Sequence, residues 1–271
     1  MMKNVRNTIV WLLFILVAVV FFSCKRTTKA GADEIVINGK LTNSAGKIIW
    51  LSEFDGKRMH NIDSAHVEEN ESFSFKIKPK YAGFFIVSIH KNDDAFLIGN
   101  KGETIMLTGD ADHLSSSWNA RGSDETKRYL AYWNVSRKQL KQIDSLTVLF
   151  RSIRMEPDNL GLRIRIDSIF NAIMEKKRED ATHFIIKNPG ALASLLVIDA
   201  KFAKLPLFYE ERDINYFKML DSGLSKTYPG NPLEVNFHER VQRILKNIKY
   251  HQQNNRLLPP GDLSPSYAPN R

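Results

Sequence analysis

The fold class is decided by residues 72–87, which read Ser-Phe-Ser-Phe-Lys-Ile-Lys-Pro-Lys-Tyr-Ala-Gly-Phe-Phe-Ile-Val. At the start of this stretch Phe73, Phe75 and Ile77 alternate with polar residues. A period of two in a short run is typical of a β-strand with one buried and one solvated face. The apolar run Phe84-Phe85-Ile86-Val87 predicts a second strand shortly after the first.

Similar short apolar runs occur on both sides of this stretch, and turn-forming residues separate them. The further predicted strands cover residues 35–37, 48–51, 95–99 and 104–107. Seven or eight short strands at this spacing predict an antiparallel β-sandwich or barrel over residues 34–122. Strands and helices do not alternate along the chain, and this argues against a doubly wound parallel sheet.

After residue 122 the apolar residues recur at helical spacing, which predicts an all-helical region over residues 123–251. Ser123 is the expected cap of the first helix, and Asn231 followed by Pro232 and Glu234 predicts the start of the last one. The predicted helices run from 123 to about 156, from 160 to 187, from 191 to 202, from 211 to 226, and from 232 to about 251. The predicted fold class is therefore α+β, with the sandwich or barrel first and the helices after it.

The N-terminus predicts export. Lys3 and Arg6 precede an apolar run over residues 9–22, the pattern of a secretory signal peptide. Phe21-Phe22-Ser23-Cys24 resembles a bacterial lipobox, in which the cysteine becomes the first mature residue and carries acyl chains. We therefore predict a signal peptide over residues 1–23 and lipidation of Cys24, the only cysteine of the chain. An uncleaved membrane anchor is the alternative for the same apolar run.

The segments around the predicted domains are polar or rich in proline. Residues 24–33 predict a lipid anchor and flexible tether, and residues 252–271 predict an extended proline-rich tail. The tether lacks a run of acidic residues after Cys24, and this favours a location in the cell envelope that faces the periplasm. The formal charge is +9, of which Lys3 and Arg6 contribute two, so the mature chain carries 9 − 2 = +7. These charges are dispersed and the chain is exported, so we expect the membrane as a partner and not nucleic acid.

No constellation of catalytic residues is visible in the sequence. Cys24 stands alone, so the chain lacks the dithiol that thiol redox chemistry needs. The nearest approach to a metal site is His60-x-x-Asp63-x-x-His66, which we interpret as a loop and strand edge. Asp63, Ser64 and His66 are too close in sequence for a catalytic triad. We therefore predict no catalytic, metal-binding or cofactor-binding residue and no cofactor.

Two further interpretations concern single motifs. The stretch Gly99-Asn100-Lys101-Gly102-Glu103-Thr104 lacks the Lys-Ser/Thr of a phosphate loop and predicts a hairpin turn. Trp50, Trp118 and Trp133 are candidates for a surface on which a ligand stacks. For Trp50, in a strand, and Trp133, in a helix, we expect a place in the core instead.

Several short motifs occur in an order and at a spacing that resemble those of a known group of exported proteins. They include Ile37-Asn38-Gly39-Lys40-Leu41, Ile62-Asp63-Ser64-Ala65, Gly102-Glu103-Thr104-Ile105 and Arg121-Gly122-Ser123. With these motifs, residues 34–134 resemble an uncharacterised β-domain of exported lipoproteins, which precedes a thioredoxin-like domain of the AhpC/TSA, thiol-disulfide interchange type. The helices resemble the spacer of those proteins, and Pro260-Gly261-Asp262-Leu263-Ser264-Pro265 resembles the entry to their redox domain.

The sequence leaves three functions open, of which the resemblance implies the redox association of the first two and the candidate tryptophans suggest the third. The first is a non-catalytic, lipid-anchored accessory or interaction module that works with a thiol-disulfide redox protein. The second is the N-terminal part of a thioredoxin-like thiol-disulfide oxidoreductase whose redox domain is not in this sequence. The third is a ligand-binding lipoprotein.

Overall fold

The computed structural model describes residues 29–153, 160–202 and 205–255. The predicted signal peptide, Cys24 and residues 256–271 of the predicted tail lie outside the described residues. In the described part, no helix combines the length and the apolar character that a membrane span requires.

Eight strands form two four-stranded sheets. In chain order they are β1 (Ile35–Thr42), β2 (Ile48–Phe54), β3 (Met59–His66), β4 (Ser72–Ile77), β5 (Gly83–His90), β6 (Asp93–Gly99), β7 (Thr104–Asp110) and β8 (Asn119–Arg121). Sheet I has the order β4-β1-β7-β8, and sheet II has the order β3-β2-β5-β6. All pairs are antiparallel except β1 with β7, which run parallel. The predicted α+β class, with a sandwich of largely antiparallel strands before the helices, is confirmed.

The two sheets enclose a core of alternating side chains. Alternate residues of a strand point to the same face, and in these strands one set points into the space between the sheets. Phe75 on β4, Ile37 on β1 and Leu97 on β6 belong to this set and are almost completely buried. Gly39 pairs with Phe73 across β1 and β4. A Cβ atom at Gly39 would lie 1.9 Å from Cζ of Phe73, so the phenylalanine ring occupies the space above the glycine.

The connection from Gly99 to Thr104 differs from the prediction made for it. It was expected to be a hairpin turn, but β6 belongs to sheet II and β7 to sheet I. The connection therefore crosses between the sheets. A backbone hydrogen bond of 2.7 Å from the N–H of Gly102 to the carbonyl of Glu34 holds it against the start of β1. Turn residues alone do not show whether the two flanking strands pair with each other.

The helices follow the sandwich, apart from one short helix before β8. They are α1 (Leu114–Ser117), α2 (Asp124–Ile153), α3 (Leu160–Lys187), α4 (Ala193–Ile198), α5 (Ile214–Thr227) and α6 (Pro232–Asn255). The predicted bounds of α3 and the predicted starts of α2 and α6 are confirmed. The hydroxyl of Ser123 accepts a hydrogen bond from the N–H of Thr126, and the side chain of Asn231 accepts one from the N–H of Leu233, as caps do.

Other helix predictions were wrong in their details. The helix expected over 191–202 ends at Ile198, and a two-stranded ribbon of β9 (Lys201–Phe202) and β10 (Leu205–Pro206) follows, so the second region is not entirely helical. The helix expected from residue 211 begins at Ile214. The last helix continues to Asn255, past the predicted start of the tail at residue 252, because exposed Gln and Asn side chains extend a helix without adding to its apolar pattern.

The first long helix connects the two regions and then projects beyond the sandwich. The hydroxyl of Ser123 donates to the carbonyl of Ile98, near the end of β6, at 2.6 Å. The guanidinium of Arg137 donates to the carbonyl of Ser116, whose neighbour Ser115 donates its N–H to the carboxylate of Asp93 at the start of β6. Because α2 thus follows β6 along its whole length, residues 138–153 extend about 24 Å of helix past the sandwich.

Candidate functional site

The described residues form a concave groove between the outer face of sheet II and the helices that cover it. It has a volume of about 410 Å³, which is within the range of small-ligand pockets. Sheet II contributes Phe54, Met59, Phe84, Ile86 and Phe96; the helices contribute Leu195, Leu196, Leu233 and Phe237. Its polar groups, Asp199, Asn236 and Arg240, are few. We call this site the outer groove.

The apolar run in β5 produces the floor of the groove. Phe85 and Val87 point into the sandwich core, whereas Phe84 and Ile86 point outward to the helices. Phe84 stacks on Phe54 of β2 with the ring centroids 6.3 Å apart. The strand is therefore buried on both faces, which explains why its sequence is continuously apolar and not alternating.

The start of α6 fixes one wall of the groove. The side chain of Asn231 donates to the carbonyl of Ala82, which precedes β5, at 2.8 Å. Glu234 accepts hydrogen bonds from the N–H of Gly230 and from the hydroxyl of Ser225. The cap that the sequence predicted thus joins α6 to the sheet as well as starting the helix.

Arg240 forms the charged end of the groove. Its guanidinium donates to Asp199 at 2.6 Å and to Glu210 at 2.7 Å, and it lies 5.2 Å from the ring centroid of Phe217. Burial by itself lowers the pKa of Arg240, but Asp199 and Glu210 outweigh this effect and raise it above its ordinary value. Two carboxylates face one guanidinium, so this end carries a net charge of about −1 and favours a cationic group.

Two exposed apolar side chains lie at or near the groove on the outer face of sheet II. Trp50 is 44% exposed on β2, and Met59, at the rim, is 50% exposed on β3. The expectation that Trp50 lies in the core was wrong, because the helices cover only part of the outer face of sheet II. Trp118 and Trp133 instead stack on either side of Tyr129, with centroids 6.4 and 6.3 Å from its ring. Of the three candidate tryptophans, Trp50 is the one that presents much of its surface to solvent.

The histidine motif lies on β3, the edge strand of sheet II. His60 pairs with Asp55 at 2.8 Å, and Asp63 accepts a hydrogen bond from the N–H of Ser64. Within residues 29–153, 160–202 and 205–255, no three His, Cys, Asp or Glu side chains converge in a way that suits a metal ion. The structure thus gives the motif local partners on a polar strand, and Cys24 lies outside the described residues.

One buried charged residue was missed by the sequence analysis. Lys177 of α3 is buried, and its ammonium group donates to the hydroxyl of Ser136 on α2. It also lies 5.0 Å from the ring centroid of Phe202. Burial lowers the pKa of Lys177 to about 8, and the charge of Asp180 offsets only part of this effect. Both side chains are closed off from solvent, so we interpret the pair as a contact between helices.

A sequence signal for this lysine exists. Ile166, Phe170, Ile173 and Ala181 form the inward stripe of α3 at helical spacing, and Lys177 falls on the same stripe. A charged residue within an apolar stripe indicates either a buried pair or a break in the packing. The helix periodicity alone does not distinguish between the two.

The comparisons concern the first half of the molecule. Residues 35–129 match the family model of a domain of unknown function, DUF4369. The match covers about a third of the chain, from β1 into the first turns of α2. It agrees in extent with the resemblance of residues 34–134 to an uncharacterised β-domain. Searches of curated proteins and of solved structures found no match.

Proposed function

We propose that this chain is a non-catalytic, lipid-anchored interaction module of the cell envelope that faces the periplasm and works with a thiol-disulfide redox protein. The observation that carries the interaction role is the outer groove, an apolar site next to exposed Trp50 and Met59. Exposed apolar surface beside a concave site is typical of binding sites on proteins. The support for the redox association is the sequence resemblance described above.

The path of the chain suits a module between an anchor and a partner. The N–H of Ala30 donates to the hydroxyl of Thr104 at 2.9 Å, so the chain already contacts sheet I there, six residues after Cys24. Six extended residues span about 20 Å, so an acylated Cys24 would hold this end of the sandwich close to the membrane. We call it the tether end.

The last helix begins at the tether end and runs away from it. Its cap, Asn231, bonds to Ala82, next to Gly83, which pairs with Gly99 just before the connection to Thr104. The following turns of α6 line the groove beside Ile86 in the middle of β5. The 24 residues of α6 span about 36 Å, so residue 255 lies well away from the membrane-facing end.

We propose that the groove binds an apolar surface segment of a thioredoxin-like protein or domain, with a basic residue beside that segment. The apolar lining suits the apolar part of such a segment. The excess carboxylate beside Arg240 suits its positive charge.

The anchor is tested first by the intact mass of the native protein extracted from the envelope. A mass that begins at Cys24 and includes acyl chains supports the proposal. A mass that retains the N-terminal apolar run and carries no lipid contradicts it. A mass that is larger by a thioredoxin-sized domain would mean that this sequence is the N-terminal part of a thiol-disulfide enzyme, which is the alternative stated above.

The partner is tested by photo-crosslinking in intact cells. A photoreactive phenylalanine analogue replaces Met59 at the groove rim and, as a matched control, Ile62, which is also exposed on β3 but does not line the groove. We expect a product from position 59 alone, containing a protein or domain with a Cys-x-x-Cys motif. Equal products from both positions, or a partner without a redox motif, would contradict the proposal.

A further inference from the structure

A row of four side chains crosses the outer face of sheet II beside the outer groove. Trp50 on β2 pairs with Ser64 on β3 and with Ser88 on β5, and Ser88 pairs in turn with Asp94 on β6. Neighbouring strands lie about 4.8 Å apart, so four strands give a row about 14 Å long. We call these four residues the Trp50 row.

The alternation of the strands places the row on the same face as the groove. Ser88 follows Ile86 by two positions and Asp94 precedes Phe96 by two, and both Ile86 and Phe96 line the groove. Trp50 lies directly opposite Ser88 and therefore shares its face. The row thus lies one pleat further along the strands than the groove.

The row combines one broad aromatic ring with three side chains that form hydrogen bonds. Trp50 and Ser64 are exposed, whereas Ser88 and Asp94 are partly buried. Burial raises the pKa of Asp94 above its ordinary value, although the hydroxyl of Ser88 donates to this carboxylate and offsets part of the effect. A carboxylate has about four acceptor positions, so Asp94 retains acceptors for a ligand.

This combination matches a sugar ring better than other ligands of an exposed tryptophan. Under an apolar helix, the two serines and Asp94 would lose water without gaining hydrogen bonds, which costs free energy. A nucleic acid or an anionic lipid would bring phosphate groups against the Asp94 carboxylate. A pyranose ring has an apolar C–H face that packs on an aromatic ring, and hydroxyl groups at its edge that donate to a carboxylate.

The row lies at the end of sheet II remote from the tether end. Ser88 is five residues after Gly83 on β5, and five residues of a strand span about 17 Å. This step rests on the anchor of the proposed function, because an acylated Cys24 would place the row on the side away from the bilayer. The polysaccharide on that side of a periplasm-facing protein is the cell wall.

We propose that the Trp50 row binds the glycan strand of the cell wall, with one pyranose ring stacked on Trp50. Hydroxyl groups of this ring and of its neighbour donate to Asp94 and form hydrogen bonds with Ser64 and Ser88. The row is an open surface, so it accepts rings from the middle of a long strand as well as from its ends.

Binding of the full chain, purified in detergent, to immobilised glycan strands freed of their stem peptides tests this proposal. We expect Trp50→Ala to weaken binding at least about tenfold, whereas Trp50→Phe keeps an aromatic face and should weaken it by no more than about threefold. Asp94→Asn should weaken it about fivefold, because the hydrogen bonds lose their charge assistance. Met59→Ala is the matched control, exposed on the same face but in the groove, and should bind within about twofold of the wild type.

The proposal is overturned if the wild type shows no binding up to about 1 mM strand. It is also overturned by equal affinities of Trp50→Ala and wild type, by an equal loss in Met59→Ala, or by binding that requires the stem peptides. Displacement by an oligolysine peptide, but not by soluble glycan strands, would assign the row to a basic peptide instead. Cross-linking from position 59 reports on the redox partner separately, so this proposal and the proposed function fail independently.

Discussion

The carboxylate of Glu125 accepts a hydrogen bond of 3.0 Å from the backbone N–H of Ala193, which lies 68 positions later in the chain. Glu125 is in the first turn of α2, and Ala193 is the first residue of α4. The same buried carboxylate accepts hydrogen bonds from Arg128 at 2.9 Å and from the hydroxyl of Tyr228 at 3.2 Å. One side chain thus connects α2, α4 and the end of α5 at the tether end of the sandwich.

We expect Glu125→Ala to lower the free energy of unfolding by about 2–4 kcal/mol, because it leaves the N–H of Ala193 and the guanidinium of Arg128 without this acceptor. Chemical denaturation measures the change. Glu239→Ala, on the exposed side of α6, is the control and should change stability by less than about 0.5 kcal/mol. Equal effects of the two variants would refute the role assigned to Glu125.

Two glycine substitutions are expected to act in opposite directions. Gly39→Ala places a methyl group where the ring of Phe73 lies, and should lower the free energy of unfolding by about 1–3 kcal/mol. Gly161 is in α3 with open space around it, so Gly161→Ala should raise stability by about 0.5–1 kcal/mol. Thermal unfolding of both variants tests the prediction, and stabilisation by Gly39→Ala would contradict the packing described for β1 and β4.

Lys177 should make stability depend on pH. In the folded chain burial lowers the pKa of Lys177 to about 8 from its ordinary value of 10.5. Between these values the unfolded chain binds a proton that the folded chain does not, so stability rises with pH in this window. Below pH 8 both states are protonated, and the full cost of burying the charge remains. We expect Lys177→Met to raise the free energy of unfolding at pH 7 by about 1–3 kcal/mol.

The matched control is Lys138→Met, at an exposed position on α2. Denaturation curves measured from pH 7 to pH 10.5 should show the gain from Lys177→Met shrinking as the pH rises. A constant gain across this window would mean that Lys177 has an ordinary pKa in the folded chain. The Lys138→Met curve should follow that of the wild type.

The outer groove should bind a small apolar fluorescent probe. Met59→Glu places a carboxylate at the rim, and we expect it to weaken binding of the probe by about tenfold because the charge loses hydration near the apolar lining. Ile62→Glu on the same strand should leave binding unchanged. Titration of the probe with each variant gives the affinities, and an equal loss in both would place the probe outside the groove.

Periodicity predicted those elements whose side chains have one buried face. The alternation of Phe73, Phe75 and Ile77 identified β4, and the cap at Asn231 identified the start of α6. It did not identify β3, whose residues are mostly polar and nearly all exposed because this strand lies at the edge of sheet II. The exposure of Trp50 was missed for a related reason, since a pattern does not show where the helices stop covering a sheet.

The sequence by itself determined the fold class, because hydrophobic period and capping residues are local properties that each segment carries. It also provides the grounds for the predicted lipidation of Cys24. The tertiary structure decided which strands share a sheet, why β5 is apolar on both faces, and where Lys177 is buried. It also brought Met59, Phe96, Phe237 and Arg240 together into one groove. These features depend on contacts between residues that are far apart in the chain, and no local pattern records them.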